Sequence, residues 1–210
     1  MLAGLLLSQT ERAVSVSAGF KLGAPINNPS NQNAPVTIAT DGRWVGGPSL
    51  EVKLPYRLAI EVDALYRTRQ STTSYRFQLD QTTNPYNTRS TTSTGAWDFP
   101  LLLKRRFQAG SARPFVSLGY QWSHLSDKSS YYYDCLGPQG SCKPAGYPVD
   151  LTGGRVTSSF VERSVVAGGG LEFRTRYGTI APEVRVTRPV NGYPKDTRVT
   201  GLVGFTFGRN

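Results

Sequence analysis

From residue 14 to residue 23 the chain reads VSVSAGFKLG, with Val14, Val16, Ala18, Phe20 and Leu22 separated by Ser15, Ser17, Gly19, Lys21 and Gly23. A two-residue period sends successive side chains to opposite faces, the mark of a strand with two unlike environments. The period returns at Leu50, Val52 and Leu54 against Glu51 and Lys53, and at Leu58, Ile60, Val62, Ala64 and Tyr66 against Glu61, Asp63 and Arg67. Next come Trp97, Phe99, Leu101 and Leu103 against Asp98, Pro100, Leu102 and Lys104, then Val116, Leu118, Tyr120 and Trp122 against Phe115, Ser117, Gly119 and Gln121. It continues with Val165, Ala167, Gly169, Leu171 and Phe173 against Gly168, Gly170, Glu172 and Arg174, and with Ile180, Pro182, Val184 and Val186 against Glu183 and Arg185. The last segment sets Val199, Val203, Phe205 and Phe207 against Thr200, Thr206 and Gly208. Eight strands are predicted and no helix.

The connections take turns. Long ones near residues 24–42, 70–93 and 125–160 alternate with short ones near 55–57, 106–112 and 176–179, and a Pro/Gly-containing link spans 189–196. An up-and-down barrel that crosses a membrane separates its hairpins this way, long loops at one end and short turns at the other. The faces are also inverted for a soluble barrel: the second face is small and charged, so it must be the lumen, and the apolar face must meet lipid. The predicted fold is all-β, an eight-stranded antiparallel up-and-down transmembrane β-barrel over residues 14–210. Residues 1–13 form a separate N-terminal segment, either the remnant of a signal peptide or an ordinary flexible terminus.

Composition trims the alternatives. The runs MLAGLLL and VVAGGGL are far shorter than the roughly 18 to 20 apolar residues a spanning helix needs, which excludes a helical membrane protein. The net charge of +10 invites a nucleic-acid reading, but Lys and Arg are scattered along strands and turns without a recognition motif, so no nucleic acid is expected as partner. A single His builds no metal cluster, and neither a metal nor a cofactor is predicted.

The segments GAWDFPLLLKRRF (residues 95–107), ARPFVSLGYQWS (112–123), VVAGGGLEFRTRYG (165–178) and VTGLVGFTFGRN (199–210) carry a resemblance. They resemble the small outer-membrane β-barrel proteins of Gram-negative bacteria, the group that includes the OmpA-type and OmpX-type eight-stranded barrels. The resemblance implies residence in the cell outer membrane, contact with outer-membrane lipids and lipopolysaccharide, and delivery by the barrel-assembly machinery during insertion. It implies a structural or surface-interaction role carried by extracellular loops, with an extracellular ligand that the sequence does not identify.

Candidate residues follow from parity. Glu51, Lys53, Glu61, Asp63, Arg67, Asp98, Lys104, Glu172, Arg174, Glu183 and Arg185, with Arg198, share the inward face and are expected to pair as an ion network that plugs the lumen against conduction. Tyr66, Trp97, Tyr120 and Trp122 fall near strand ends on the outward face, as an aromatic girdle does. Arg57, Lys104, Arg105, Arg106, Arg113, Arg174 and Arg176 gather at the short-turn end, a rim that is either solvated or in contact with anionic headgroups. In the stretch 125–160, Tyr131, Tyr132 and Tyr133 are candidate interaction anchors, and Cys135 and Cys142 flank LGPQGS, a turn-forming segment that favours one local disulfide. The competing functional reading is a lipid-modifying barrel: the lipid A 3-O-deacylase barrels carry a His-x-Ser like His124 and Ser126, although the Asn usual after that Ser is Asp127 here. A small porin and a soluble lipocalin-like binder are the remaining alternatives.

Overall fold

The computed structural model describes residues 14–27, 37–77, 86–108, 112–135, 154–191 and 197–207. They form nine antiparallel strands: β1 (Ser15–Pro25), β2 (Thr37–Lys53), β3 (Leu58–Asp63), β4 (Leu65–Phe77), β5 (Tyr86–Arg106), β6 (Ala112–Cys135), β7 (Gly154–Arg174), β8 (Gly178–Pro189) and β9 (Arg198–Phe207). β3 and β4 both lie between β2 and β5, so they are two halves of one strand, and the pairings β1 with β2 and β1 with β9 close the sheet into a ring of eight positions. The interruption falls at Ala64, whose N–H still reaches the Pro48 carbonyl at 3.0 Å. The N-terminal segment 1–13 lies outside the described residues.

The inward and outward parities are those of the sequence pattern. Leu101, Leu103 and Leu118 are 43%, 53% and 61% exposed on the outside, while Glu61, Lys104 and Arg185 are almost wholly buried within. A soluble barrel would have buried the leucines and exposed the charges. Packing inside is tight where large and small residues meet. Phe115 fills the lumen opposite Gly170, where a Cβ would lie 2.8 Å from the ring and 2.2 Å from the Pro182 carbonyl oxygen. The ring in turn carries Lys104 Nζ, 4.4 Å from its centroid.

The short-turn end has a compact β2–β3 connection in which Tyr56 and Arg57 both adopt left-handed φ, 61° and 64°, an uncommon conformation for residues other than glycine. The opposite end departs from the expected loops. β5 and β6 stay paired up to Tyr86 and Cys135, and β6 and β7 up to Tyr131 and Gly154. Much of the predicted loop 125–160 is therefore strand, as are parts of 24–42 and 70–93. The strands here are rich in Ser and Thr on both faces, and with water on both sides the apolar alternation that reveals a strand has no cause to appear. β5, β6 and β7 run 21, 24 and 21 residues, against 11, 12 and 10 in β1, β8 and β9. One wall of the barrel thus stands well above the other.

Candidate functional site

The lumen is filled in layers that alternate strands build together. Lys21 of β1 reaches across to Glu61 of β3, to Asp63 at 3.5 Å and to Glu183 of β8 at 3.0 Å. Arg185 of β8 returns the contact: its Nη2 donates to Glu61 Oε1 at 2.7 Å, its Nη1 to Asp63 Oδ2 at 2.7 Å and its Nε to Glu183 Oε1 at 2.5 Å. Lys104 of β5 lies 2.5 Å from Glu61, 3.1 Å from Glu51 and 3.6 Å from Glu172. Arg106 donates to Glu51 Oε2 at 2.5 Å and to Glu172 Oε2 at 2.7 Å. Glu61 is the hub, shared by Lys21, Lys104 and Arg185. Each carboxylate is bridged by at least one cation from another strand, which is what lets buried charge persist in the lumen.

Toward the tall end the character changes. Val45, Leu65 and Leu202 form a buried apolar cluster, and beyond it Arg67 Nε donates to Asp98 at 2.7 Å and Arg198 Nη2 to Glu162 at 2.5 Å. Of the residues picked out by parity, Lys53 and Arg174 instead line an open cavity at the short-turn end. Sequence reasoning left Lys21, Arg106 and Glu162 out of the network. Lys21 and Arg106 share their parity with Ser17 and Lys104, and Glu162 shares its parity with Ser164. Arg106 was placed on the rim, but it sits inside because β5 continues through it, a correction that period two carried one turn further would have made.

On the outside, Tyr66 and Trp97 pack with ring centroids 5.2 Å apart, Tyr120 and Trp122 at 5.0 Å. Trp44 joins them, 6.0 Å from Tyr66. In sequence it falls between the polar stretch 24–42 and the strand read from Leu50, and belongs to neither. The belt of exposed Leu, Val and Phe bounded by these rings, wrapped around a core of paired charges, matches a surface solvated by hydrocarbon. The chain is a membrane-spanning β-barrel. Its polar filling and apolar exterior also leave no room for the soluble lipocalin-like reading, in which the cup would be apolar.

No family model and no curated protein matches the chain. Among solved structures it is similar to Ail, the attachment invasion locus protein of Yersinia pestis, in complex with the heparin analogue sucrose octasulfate (10% identity, 92% of this chain and 96% of that one, TM-score 0.37). It is also similar to the N-terminal β-barrel domain of Pseudomonas aeruginosa OprF (13% identity, 91% and 97% covered, TM-score 0.39).

His124 pairs across the strands with Trp97 and Val161, and Ser126 with Gly95 and Ser159. Among the described residues no hydrogen bond joins the two. The neighbouring carboxylate of Glu162 faces the other side of the sheet, held by Arg198. Among the described residues, no acid orients His124 and no base serves Ser126. Among the described residues no group of His, Cys, Asp and Glu is arranged to hold a metal. Tyr131, Tyr132 and Tyr133 lie on β6 rather than in a loop; their side chains, and Cys142 with the proposed pairing to Cys135, lie outside the described residues.

Proposed function

We propose that the protein is a non-catalytic barrel of the Gram-negative outer membrane that presents a surface for interaction with another protein. Short turns face the periplasm in such barrels, so the tall wall faces outward. The carrying observation is the outer part of β7. Pairing of β7 with β8 ends at Ser164 and Pro189, with two further bonds, from Val190 N–H to the Arg163 carbonyl at 2.8 Å and from Arg163 N–H to the Asn191 side-chain oxygen at 2.5 Å. Among the described residues, 154–162 therefore pair with β6 alone. Every residue from 155 to 161 is exposed, including Val156, Phe160 and Val161. Val156 and Phe160 share the parity that lower down faces the lumen, and they meet water only because β8, β9 and β1 stop short.

A row of unpaired N–H and C=O groups flanked by apolar side chains is a template for an incoming strand. The interior of this edge, VTSSFV, has neither Pro nor Lys to blunt it. The lumen, crossed by bridged charges, would carry no ions in this reading, and the lipids and assembly machinery of the outer membrane are its surroundings rather than its ligands.

The test compares bacteria displaying the protein with bacteria displaying the double variant Thr157→Pro, Ser159→Pro, for attachment to surfaces coated with extracellular-matrix protein. Attachment should fall several-fold while barrel assembly, read by heat-modifiable gel migration, is unchanged. Equal attachment by both strains at equal display would dismiss the edge.

A further inference from the structure

The short-turn end of the barrel is hollow. A cavity of about 270 Å³ opens there, floored by Arg106 and walled by Lys53, Arg57, Arg113 and Arg174. Two carboxylates, Glu51 and Glu172, share the floor, and both are engaged by Arg106 and by Lys104 beneath it. The charge count locates the excess. In the ion cluster Glu51, Glu61, Asp63, Glu172 and Glu183 outnumber Lys21, Lys104, Arg106 and Arg185 by one. Among the described residues, the four cations of the wall reverse that balance to three positive, and the surplus lies at the mouth.

One residue of the wall is held by a side-chain hydrogen bond. Arg57 sits in the left-handed β2–β3 turn and donates from Nη2 to Gln108 Oε1 at 2.5 Å, which fixes its guanidinium over the cavity from one side. Arg174 approaches from the end of β7, and Thr179 and Thr206 add hydroxyls. Guanidinium groups converging in a partly enclosed space suit an anion with several oxygens, because each can offer two parallel N–H donors. The volume lies just below the range typical of drug-sized ligands, so the occupant is small. Arg105 and Arg176, by contrast, stack over Phe107 and Tyr177 outside the ring, at 5.8 and 5.9 Å.

We propose that this vestibule is a binding site for a small phosphate-bearing anion, supplied either in free form or as the headgroup of an anionic lipid. The site is independent of the partner-binding edge at the opposite end, and the loss of either leaves the other standing.

The probe is inorganic pyrophosphate, titrated calorimetrically at low ionic strength into the whole protein folded in maltoside micelles, which contribute no phosphate. Saturable binding is expected. Arg57→Gln with Arg174→Gln should weaken it by about tenfold or more, while Arg105→Gln with Arg176→Gln, of equal charge change but outside the ring, should leave it within about twofold. Gel migration before and after boiling shows that each variant is folded. Absence of saturable binding by the unaltered protein, or equal weakening by the two pairs, would overturn the proposal. A second arm separates the sources. In nanodiscs of phosphatidylglycerol, pyrophosphate binding should vanish if the headgroup is the occupant and persist, as in phosphatidylcholine nanodiscs, if the free anion is; both outcomes require the site.

Discussion

The lower and upper parts of β5, β6 and β7 are continuous strands with the same backbone pairing, yet they are different polymers. Below Asp98, β5 reads FPLLLKRR, each residue committed to the outer face or to the lumen; above Gly95 it reads YNTRSTTST, with no such division. Cross-strand contacts change in kind as well. Below, the partners are buried charges; above, they are hydroxyls such as Thr72 with Thr91 at 3.5 Å and Thr92 with Ser129 at 2.9 Å. Alternation records a boundary between two environments, and where that boundary ends the strand is freed to vary. Side chains can therefore be altered in the upper wall without touching what keeps the barrel in the membrane.

The sharpest way to break this contrast is to delete a carboxylate from the cluster. Glu61→Ala leaves Lys21, Lys104 and Arg185 without their common partner, and should cost about 3–5 kcal/mol or prevent assembly. Urea unfolding in lipid vesicles followed by Trp fluorescence measures it, and a loss below about 1 kcal/mol would show that the cluster is hydrated rather than sealed. The next effect is on the lipid side. Leu101→Arg introduces a charge within the belt and should destabilise by about 2–4 kcal/mol, whereas Val156→Arg, equally apolar and exposed but in the upper wall, should stay within about 0.5 kcal/mol. Similar values for the two would place the membrane boundary elsewhere.

Smaller again is Thr92→Ala. It removes one of the hydroxyl pairs, and about 0.2–1 kcal/mol is expected from the same unfolding experiment. The lower lumen has a functional readout besides stability: planar bilayers containing the unaltered protein should show no stable, large conductance, because the interior of an eight-stranded ring is about filled by side chains. Reproducible large openings would mean that the bridged charges separate. Least of all should the barrel respond to reduction of the proposed Cys135–Cys142 disulfide, which would order the tip beyond β6 and leave the melting of the spanning strands unmoved. Finding both thiols alkylatable in unreduced protein by mass spectrometry would remove that bond.

How far the sequence could be read follows from the same division. Wherever lipid and lumen faced each other, period two was visible, and the ring, its polarity and most inward charges could be written down from residues such as Leu101 and Lys104. It failed where both sides of the sheet are wet: Thr88 to Ser93, Ser126 to Ser130 and Thr157 to Ser159 have no apolar beat, so strands there looked like loops. It failed also at residues of ambiguous position. Arg106, next to Arg105 and close to a turn, looked like rim, and only the continued pairing of β5 with β6 through Phe115 turns it inward. Trp44 was concealed because the upper part of β2 carries Thr, Asp, Gly and Arg beside it.

The wiring of the ion cluster bears on how the barrel can come into being. Lys21 on the first strand is bound to Glu61, 40 residues away, and to Glu183, 162 residues away; Arg185 is bound to Asp63 at a separation of 122. The bridges from Lys21 to Glu183 and from Arg185 to Asp63 do not exist in a sheet whose ends are open, because each crosses a space that is enclosed only after β1 has met β9, whereas Lys21 and Glu61 are joined across β2 alone. An unclosed sheet in the bilayer would present nine ionised groups to hydrocarbon, each at several kcal/mol. Closure is thus the event that completes the cluster, adding the bridges from Lys21 to Glu183 and from Arg185 to Asp63 to those already possible between neighbouring strands. The seam between its first and last strands is the latch on which the last bridges of the cluster depend.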